Sequence, residues 1–125
     1  MRRRSIPAFI TCPSGVTALE FALVAPMLLA FIIGAISTGL VMYSAAGLRD
    51  AVEQAARCYS VNSGQCSTAT QTQTYAKSAY YGINTPAFTA SIQPCGHQVA
   101  ATVTVELTAV IANFDVPLSA TACFP

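Results

Sequence analysis

The sequence predicts an α+β fold in which a long N-terminal helix crosses a membrane and continues into a small domain containing a three-stranded antiparallel sheet. Residues 21–48 carry no charged side chain, and this run exceeds the roughly 20 residues needed to span a bilayer. The final third of the chain alternates apolar and polar residues, which is typical of strands. Charged residues make up only 9% of the chain, against about 25% in soluble domains.

One continuous helix is predicted over residues 16–58, with the membrane span at about 21–48. Pro26 lies inside this helix, where a freed backbone carbonyl permits a bend. Before it, residues 1–15 form a basic leader that stays in the cytoplasm by the positive-inside rule. Past the span, apolar residues fall on one helical face, and these are Leu48, Val52, Ala55, Ala56 and Tyr59.

A short second helix and three strands are predicted after residue 58. The segment 69–83 permits the helix, with Tyr75, Ala76, Ala79 and Tyr80 on one side. Period-two alternation predicts strands over residues 88–93, 99–111 and 118–124. Turns are expected at 94–97 and near 113–117. Three strands with one apolar face need a partner, and the amphipathic half of the long helix can supply it.

Four cysteines follow the apolar segment, and an even number on one side of a membrane suggests two disulfides in an oxidising compartment. Four cysteines allow three pairings, and the spacing alone does not choose among them. We hypothesise Cys58–Cys66, across a short loop, and Cys95–Cys123, at one end of the sheet. The second pair requires the central ladder to end near Leu107. Cys12, in the leader, is expected to stay reduced.

Catalysis, metal binding and nucleic-acid binding are not expected. The cysteines lack zinc-type spacing, and the only histidine, His97, is expected to be solvated in a turn. Glu106 and Asp115 are expected to be a surface charge and a turn residue, with no arrangement that suggests acid–base work. The net charge of +1, with no basic stripe beyond residues 2–4, argues against nucleic acid. No catalytic residue, metal ligand or cofactor is therefore assigned.

A carboxylate interrupts the chain just where the apolar segment begins. Gly15 is followed by four residues, then Glu20, then the aromatic Phe21. A carboxylate costs roughly 2–4 kcal/mol at the centre of a bilayer and less near the interface. This spacing resembles the type IV prepilin processing motif. Together, "GVTALEFALVAPMLL" and "LRDAVEQAARCYS" resemble the TadE-like minor pseudopilins of the tight-adherence (Flp, type IVc) pilus system over residues 15–57.

The resemblance implies a pilin-like, non-enzymatic subunit that a prepilin peptidase cleaves between Gly15 and Val16. Glu20 and Phe21 would then support subunit assembly, since a neighbouring amino group neutralises a buried carboxylate only on assembly. The implied partners are other pseudopilins, the major pilin, the inner-membrane assembly platform and the lipid bilayer. The subunit would support a pilus used for adhesion or secretion.

The resulting organisation is a cytoplasmic leader (1–15), a long helix (16–58) and a disulfide-bearing periplasmic α+β domain (59–125). The implied location is the bacterial inner membrane with a single pass, and the subunit is a candidate for incorporation into an extracellular pilus. Two alternatives stay open. One is a single-pass membrane protein that keeps its leader. The other is a secreted, disulfide-bonded binding module behind a signal peptide cleaved near Ala46, although the apolar run exceeds the 7–15 residues typical of such signals.

Overall fold

The computed structural model describes residues 14–61, 64–108 and 112–125. These residues form the predicted α+β fold: a long N-terminal helix, a short helix and a three-stranded antiparallel sheet. The elements are α1 (Ser14–Val61), α2 (Ala69–Ala79), β1 (Ala87–Gln93), β2 (Gly96–Thr108) and β3 (Asn113–Phe124). The chain divides into two compact units, one ending at Ala35 and the other running from Ile36 to Pro125.

Helix α1 extends past both expected ends, because it begins at Ser14 and ends at Val61. Pro26 lies inside it. The helix does not end at Cys58, whose side chain forms a disulfide from within the last turn. The expected leader lies outside the described residues up to position 13, and so does Cys12.

The core of the second unit lies between the C-terminal half of α1, α2 and one face of the sheet. On α1, the buried residues recur at helical spacing: Leu48, Ala51, Val52, Ala55 and Ala56. The opposing buried residues are Ala76 on α2 and Phe88, Val99, Ala101 and Val103 on the sheet. Three of the five helical residues are alanines, so this face of α1 presents mainly small side chains to the core. The expected partnership of sheet and helix is thereby confirmed.

Helix α2 is fixed at its start by side-chain capping. The hydroxyl of Thr68 accepts a hydrogen bond from the backbone N–H of Gln71 at 3.3 Å, which satisfies one of the free donors of the first turn. Thr72 is fully buried, and its hydroxyl donates to the backbone carbonyl of Thr68 at 3.0 Å. Its oxygen also lies 3.3 Å from the carbonyl of Cys66. Thr68 and Thr72 therefore stabilise the start of the helix.

The sheet has the order β1-β2-β3, with both pairs antiparallel. The expected turn near 113–117 is wrong, because these residues begin β3 and Thr108 pairs with Asn113. Pro117 suggested a break in the strand. However, β3 is an edge strand, and proline is tolerated there because one side of the strand needs no ladder hydrogen bonds. Residues 109–111, which the alternating pattern assigned to the central strand, lie outside the described residues.

The connection between β1 and β2 is shorter than expected. Gln93 pairs with Gly96, so the turn contains only Pro94 and Cys95. Gly96 has φ of +116°, a conformation that side chains disfavour, and a Cβ there would collide with the backbone of Phe124. Glycine is therefore required on both grounds, and the tight turn holds Cys95 at the end of the sheet.

Candidate functional site

The segment that carries the processing motif forms the first two turns of α1. Gly15, Val16, Glu20 and Phe21 are all helical and exposed, with Val16 61% and Phe21 74% accessible. A Cβ built on Gly15 would meet no atom within 4 Å among the described residues. Packing within the described chain therefore gives no reason for a glycine at this position.

Glu20 lies four residues after Val16, about one helical turn and 6 Å along the axis. The two side chains are therefore neighbours on one face of α1. In the intact chain the first turn of α1 contains no acidic residue. If the chain began at Val16, the helix start would carry an ammonium group and free N–H donors close to Glu20. A carboxylate near a helix N-terminus is stabilised by both.

The N-terminal part of α1 presents apolar side chains on all sides. Its most hydrophobic stretch has a mean hydropathy of 2.3, and none of that stretch is buried. By length and composition, α1 is able to cross a membrane. Exposed residues in this part include Leu23, Met27, Phe31 and Ile36, each more than half accessible.

Packing of α1 against the rest of its unit begins at Tyr43 and Ser44. The rings of Tyr43 and Tyr81 lie 5.2 Å apart. Ser44 is fully buried, and its hydroxyl accepts the backbone N–H of Ile83 at 3.2 Å. The Tyr81 hydroxyl lies 3.2 Å from the carboxylate of Asp50. This polar junction joins α1 to the segment between α2 and β1.

Tyr80 belongs to the same junction. Its hydroxyl donates to the carbonyl of Ile83 at 2.9 Å. Burial raises the pKa of the Tyr80 phenol, and a hydrogen bond with Ser44 partly offsets that increase. Sequence reasoning missed this junction. The sequence contained one signal for the junction: Ser44 is a polar residue on the apolar helical face that continues through Leu48 and Ala51.

The described residues contain two disulfides, and they join the pairs hypothesised from the sequence. Cys58 and Cys66 have Cα atoms 5.7 Å apart, and Cys95 and Cys123 have Cα atoms 6.2 Å apart. The first holds the end of α1 to the loop that precedes α2. The second joins the β1–β2 turn to the end of β3, where Cys123 pairs in register with Gln98.

The end of the sheet near the second disulfide packs on the last turns of α1. Arg57 lies over the ring of Phe124 at 5.1 Å, a cation–π distance. The expectation that His97 is solvated in a turn is wrong, since it lies in β2 and its ring meets Tyr59 edge-on at 4.5 Å. The missed signal was the period-two pattern of β2, which extends back from Val99 to His97 and places His97 on the apolar face.

The remaining candidate polar residues do not form a reactive site. Glu106 and Asp115 are exposed and lie opposite each other on β2 and β3. Asp115 is therefore a strand residue, not the turn residue expected. Within residues 14–61, 64–108 and 112–125, no group of three His, Cys, Asp or Glu side chains is arranged to hold a metal.

An apolar helix able to span a bilayer, followed by a small disulfide-bonded α+β unit, is consistent with a single-pass membrane protein. Residues 15–57 match the family model described as TadE-like protein. The match covers about a third of the chain and confirms the resemblance predicted from the sequence. No curated protein and no solved structure matches the chain.

Proposed function

We propose that the protein is a minor pseudopilin that a prepilin peptidase cleaves after Gly15 and that then supports assembly of a Tad/Flp pilus. The observation that carries the proposal is the exposed start of α1. There, a glycine that no described residue packs against lies five residues before a carboxylate in an apolar helix. The matched family segment also begins at Gly15.

The open environment of Gly15 supports recognition by a second protein. No described residue packs against Gly15, so packing within the described chain does not require the absence of a side chain there. A peptidase that must bind the backbone closely would impose the absence of a side chain. The exposed Phe21 and the apolar residues after it are free to stay in the membrane during this step.

Glu20 is proposed to pair subunits. In the bilayer its charge is costly unless a positive group lies nearby. The ammonium group of Val16 in a neighbouring subunit has the opposite charge and is present only after cleavage. Cleavage and assembly would therefore be linked, since the uncleaved chain lacks that ammonium group.

The proposed orientation places the domain of residues 59–125 on the periplasmic side, with the C-terminus outside the cytoplasm. The arginines at positions 2–4 support it by the positive-inside rule. The two disulfides support it as well, because they persist in oxidising compartments. A reporter fused after Pro125 that is active only outside the cytoplasm tests this orientation, and activity of a cytoplasmic reporter contradicts it.

Processing is tested by the substitution Gly15→Leu, with Gly39→Leu as the matched control. Both glycines are helical, and a Cβ at either meets nothing within 4 Å. Mass spectrometry of the membrane-extracted protein should show a chain beginning at Val16 for the control and the full-length chain for Gly15→Leu. A mature start at Val16 in both variants would refute cleavage at Gly15. A start near Gly47 would instead favour the signal-peptide alternative, although cleavage there discards the buried Ser44.

The role of Glu20 is tested by Glu20→Gln, with Glu53→Gln as the control. Both carboxylates are exposed on α1, but Glu53 lies beyond the apolar segment. Glu20→Gln should be inserted and processed normally, yet fail to co-purify with other pilus subunits. The control should co-purify as the unaltered protein does. Normal pilus assembly by Glu20→Gln would contradict a pairing role.

A further inference from the structure

We propose that Cys95 is a site of thiol–disulfide exchange in the folded protein, and that opening of the Cys95–Cys123 bond releases the end of β3 from α1. The co-reactant is a dithiol. The Cys58–Cys66 bond stays closed under the same conditions, so the two disulfides have different roles. The inference does not depend on the proposed cleavage or on the proposed role in a pilus.

The two disulfides differ in how far solvent reaches them. Cys95 is exposed, in the two-residue turn between β1 and β2. Its partner Cys123 is half-buried. In the other pair, Cys66 is fully buried and Cys58 is half-buried. Because a thiolate must reach a sulfur atom before it can attack, exchange is favoured at Cys95.

Exchange at the other disulfide is opposed from both sides. A thiolate has no access to Cys66, which is 0% accessible. Attack on Cys58 would expel the thiolate of Cys66 into a fully buried site, where burial disfavours the charged form. Exchange slows when the leaving thiolate is disfavoured. The folded unit therefore protects Cys58–Cys66 and leaves Cys95–Cys123 open to attack.

The dithiol alone balances the exchange. One of its thiolates attacks the Sγ atom of Cys95, the bond between the two Sγ atoms breaks, and Cys123 leaves as a thiolate. The second thiolate then attacks the dithiol sulfur that is bonded to Cys95, which closes a disulfide within the dithiol and expels the Cys95 thiolate. The dithiol loses two electrons, the protein disulfide gains them, and the two protons of the dithiol end on Cys95 and Cys123.

The Cys95–Cys123 bond ties down the strand end that contacts the last turns of α1. Directly after Cys123, Phe124 pairs with His97 at the last position of the β2–β3 ladder. The ring of Phe124 lies 5.1 Å from the guanidinium of Arg57. A cation–π contact is weak where water reaches it, and the ends of elements open most readily when nothing ties them down. Opening the disulfide therefore frees Phe124 from Arg57.

The rest of the second unit is held without this cross-link. Leu48 on α1 and Val103 on β2 belong to the buried core, and the β2–β3 ladder continues from Ala122 back to Asn113. The Cys58–Cys66 bond still joins the end of α1 to the loop before α2. The change on reduction is therefore local to the strand end.

Timed reduction of the unaltered full chain in detergent micelles tests the exchange site. Dithiothreitol is the dithiol, N-ethylmaleimide traps the thiols that it frees, and mass spectrometry maps the labelled peptides. Cys95 and Cys123 should be labelled roughly ten times faster than Cys58 and Cys66, or more. Equal rates would mean that reduction requires unfolding of the unit, and this result would overturn the proposal. Faster labelling of Cys58 and Cys66 would overturn it as well.

Release of the strand end is tested with Phe124→Trp, because the chain contains no tryptophan and an indole ring also binds a cation over its face. Its emission should shift to longer wavelengths at the rate at which Cys95–Cys123 is reduced. In the same background, Cys58→Ala/Cys66→Ala should respond in the same way. Cys95→Ala/Cys123→Ala should emit at the longer wavelength before dithiothreitol is added and should not change afterwards. Constant emission while Cys95 and Cys123 become labelled would overturn the release of the strand end.

Discussion

The two disulfides should stabilise the second unit by different amounts, because they close chain segments of different length. Cys58–Cys66 spans a sequence separation of 8, and Cys95–Cys123 spans 28. The loop-closure relation gives about 2.5 kcal/mol for the shorter segment and about 3.6 kcal/mol for the longer. We therefore expect the loss of Cys95–Cys123 to cost about 1 kcal/mol more than the loss of Cys58–Cys66.

Simple removal of the cysteines would blur this comparison, since Cys66 is fully buried and its loss leaves a small cavity. Two double variants avoid the problem. Cys58→Ala/Cys66→Ala retains only the long-range disulfide, and Cys95→Ala/Cys123→Ala retains only the short-range one. Each variant is compared with its own reduced form, so that the side-chain changes cancel and only the cross-link differs.

The assay is urea unfolding of the full chain in detergent micelles, followed by tyrosine fluorescence. All five tyrosines lie between positions 43 and 81, so the signal reports on the second unit. Reduction should lower the free energy of unfolding more in the variant that retains Cys95–Cys123. Equal losses, or a larger loss for the short-range disulfide, would refute the argument from loop length. Non-reducing peptide mapping of the unaltered protein checks the pairing itself, and a Cys58–Cys95 peptide would contradict it.

Three further perturbations test the packing around α1 with the same fluorescence assay. Leu48 is 1% accessible, so Leu48→Ala leaves a cavity and should lower the free energy of unfolding by about 2–5 kcal/mol. Leu40 is 40% accessible, and Leu40→Ala should leave the stability of the second unit unchanged. Gly47→Val should destabilise the unit, since a Cβ at Gly47 would lie 3.1 Å from the ring of Tyr81; unchanged stability would contradict the close approach. Burial raises the pKa of Tyr80 above 10.0, so folding favours the neutral phenol. This stabilisation should be complete below pH 10 and lost as the pH rises through the folded pKa, and Tyr80→Phe should show a shallower loss.

The sequence predicted the elements whose pattern is strong and local. The central segment alternates apolar and polar residues, which predicts a strand with one buried face. The structure buries its apolar residues Val99, Ala101, Val103 and Val105. In the same way, the helical face that begins at Leu48 predicted the packing partner of the sheet. Both predictions depended on periodicity, which is visible within a single short segment of the sequence.

The errors arose where the outcome depends on a neighbouring strand. Pro117 suggested a turn, but its position on the edge strand β3 requires no ladder hydrogen bond on one side. His97 follows a glycine at the end of a turn, and only the start of β2 at Gly96 places it two residues before Val99, on the face that β2 buries. The hydrogen bond of Ser44 could not be predicted for a similar reason. Its partner, the N–H of Ile83, lies 39 positions further along the chain.

The candidate processing site was predicted from residue identities and spacing alone. The structure adds that the backbone around Gly15 is helical and that no described side chain packs against it. Pilus partners and a peptidase are separate proteins, so one folded chain contains only the surface that they would contact. Their roles stay predictions for the experiments above.

The contacts of α1 within the second unit extend from Ser44, which accepts the backbone N–H of Ile83, to Tyr59, whose ring meets that of His97. Their distribution determines how the unit would respond to mechanical load. A machine that draws α1 out of the bilayer along its axis would load these contacts in shear, because they lie along the side of the helix. Shear engages the contacts from Ser44 to Tyr59 together, whereas a perpendicular pull would open them one at a time. The Cys58–Cys66 cross-link ties the far end of the helix to the loop before α2. We therefore expect the second unit to move together with α1 and to stay attached to it under such a load.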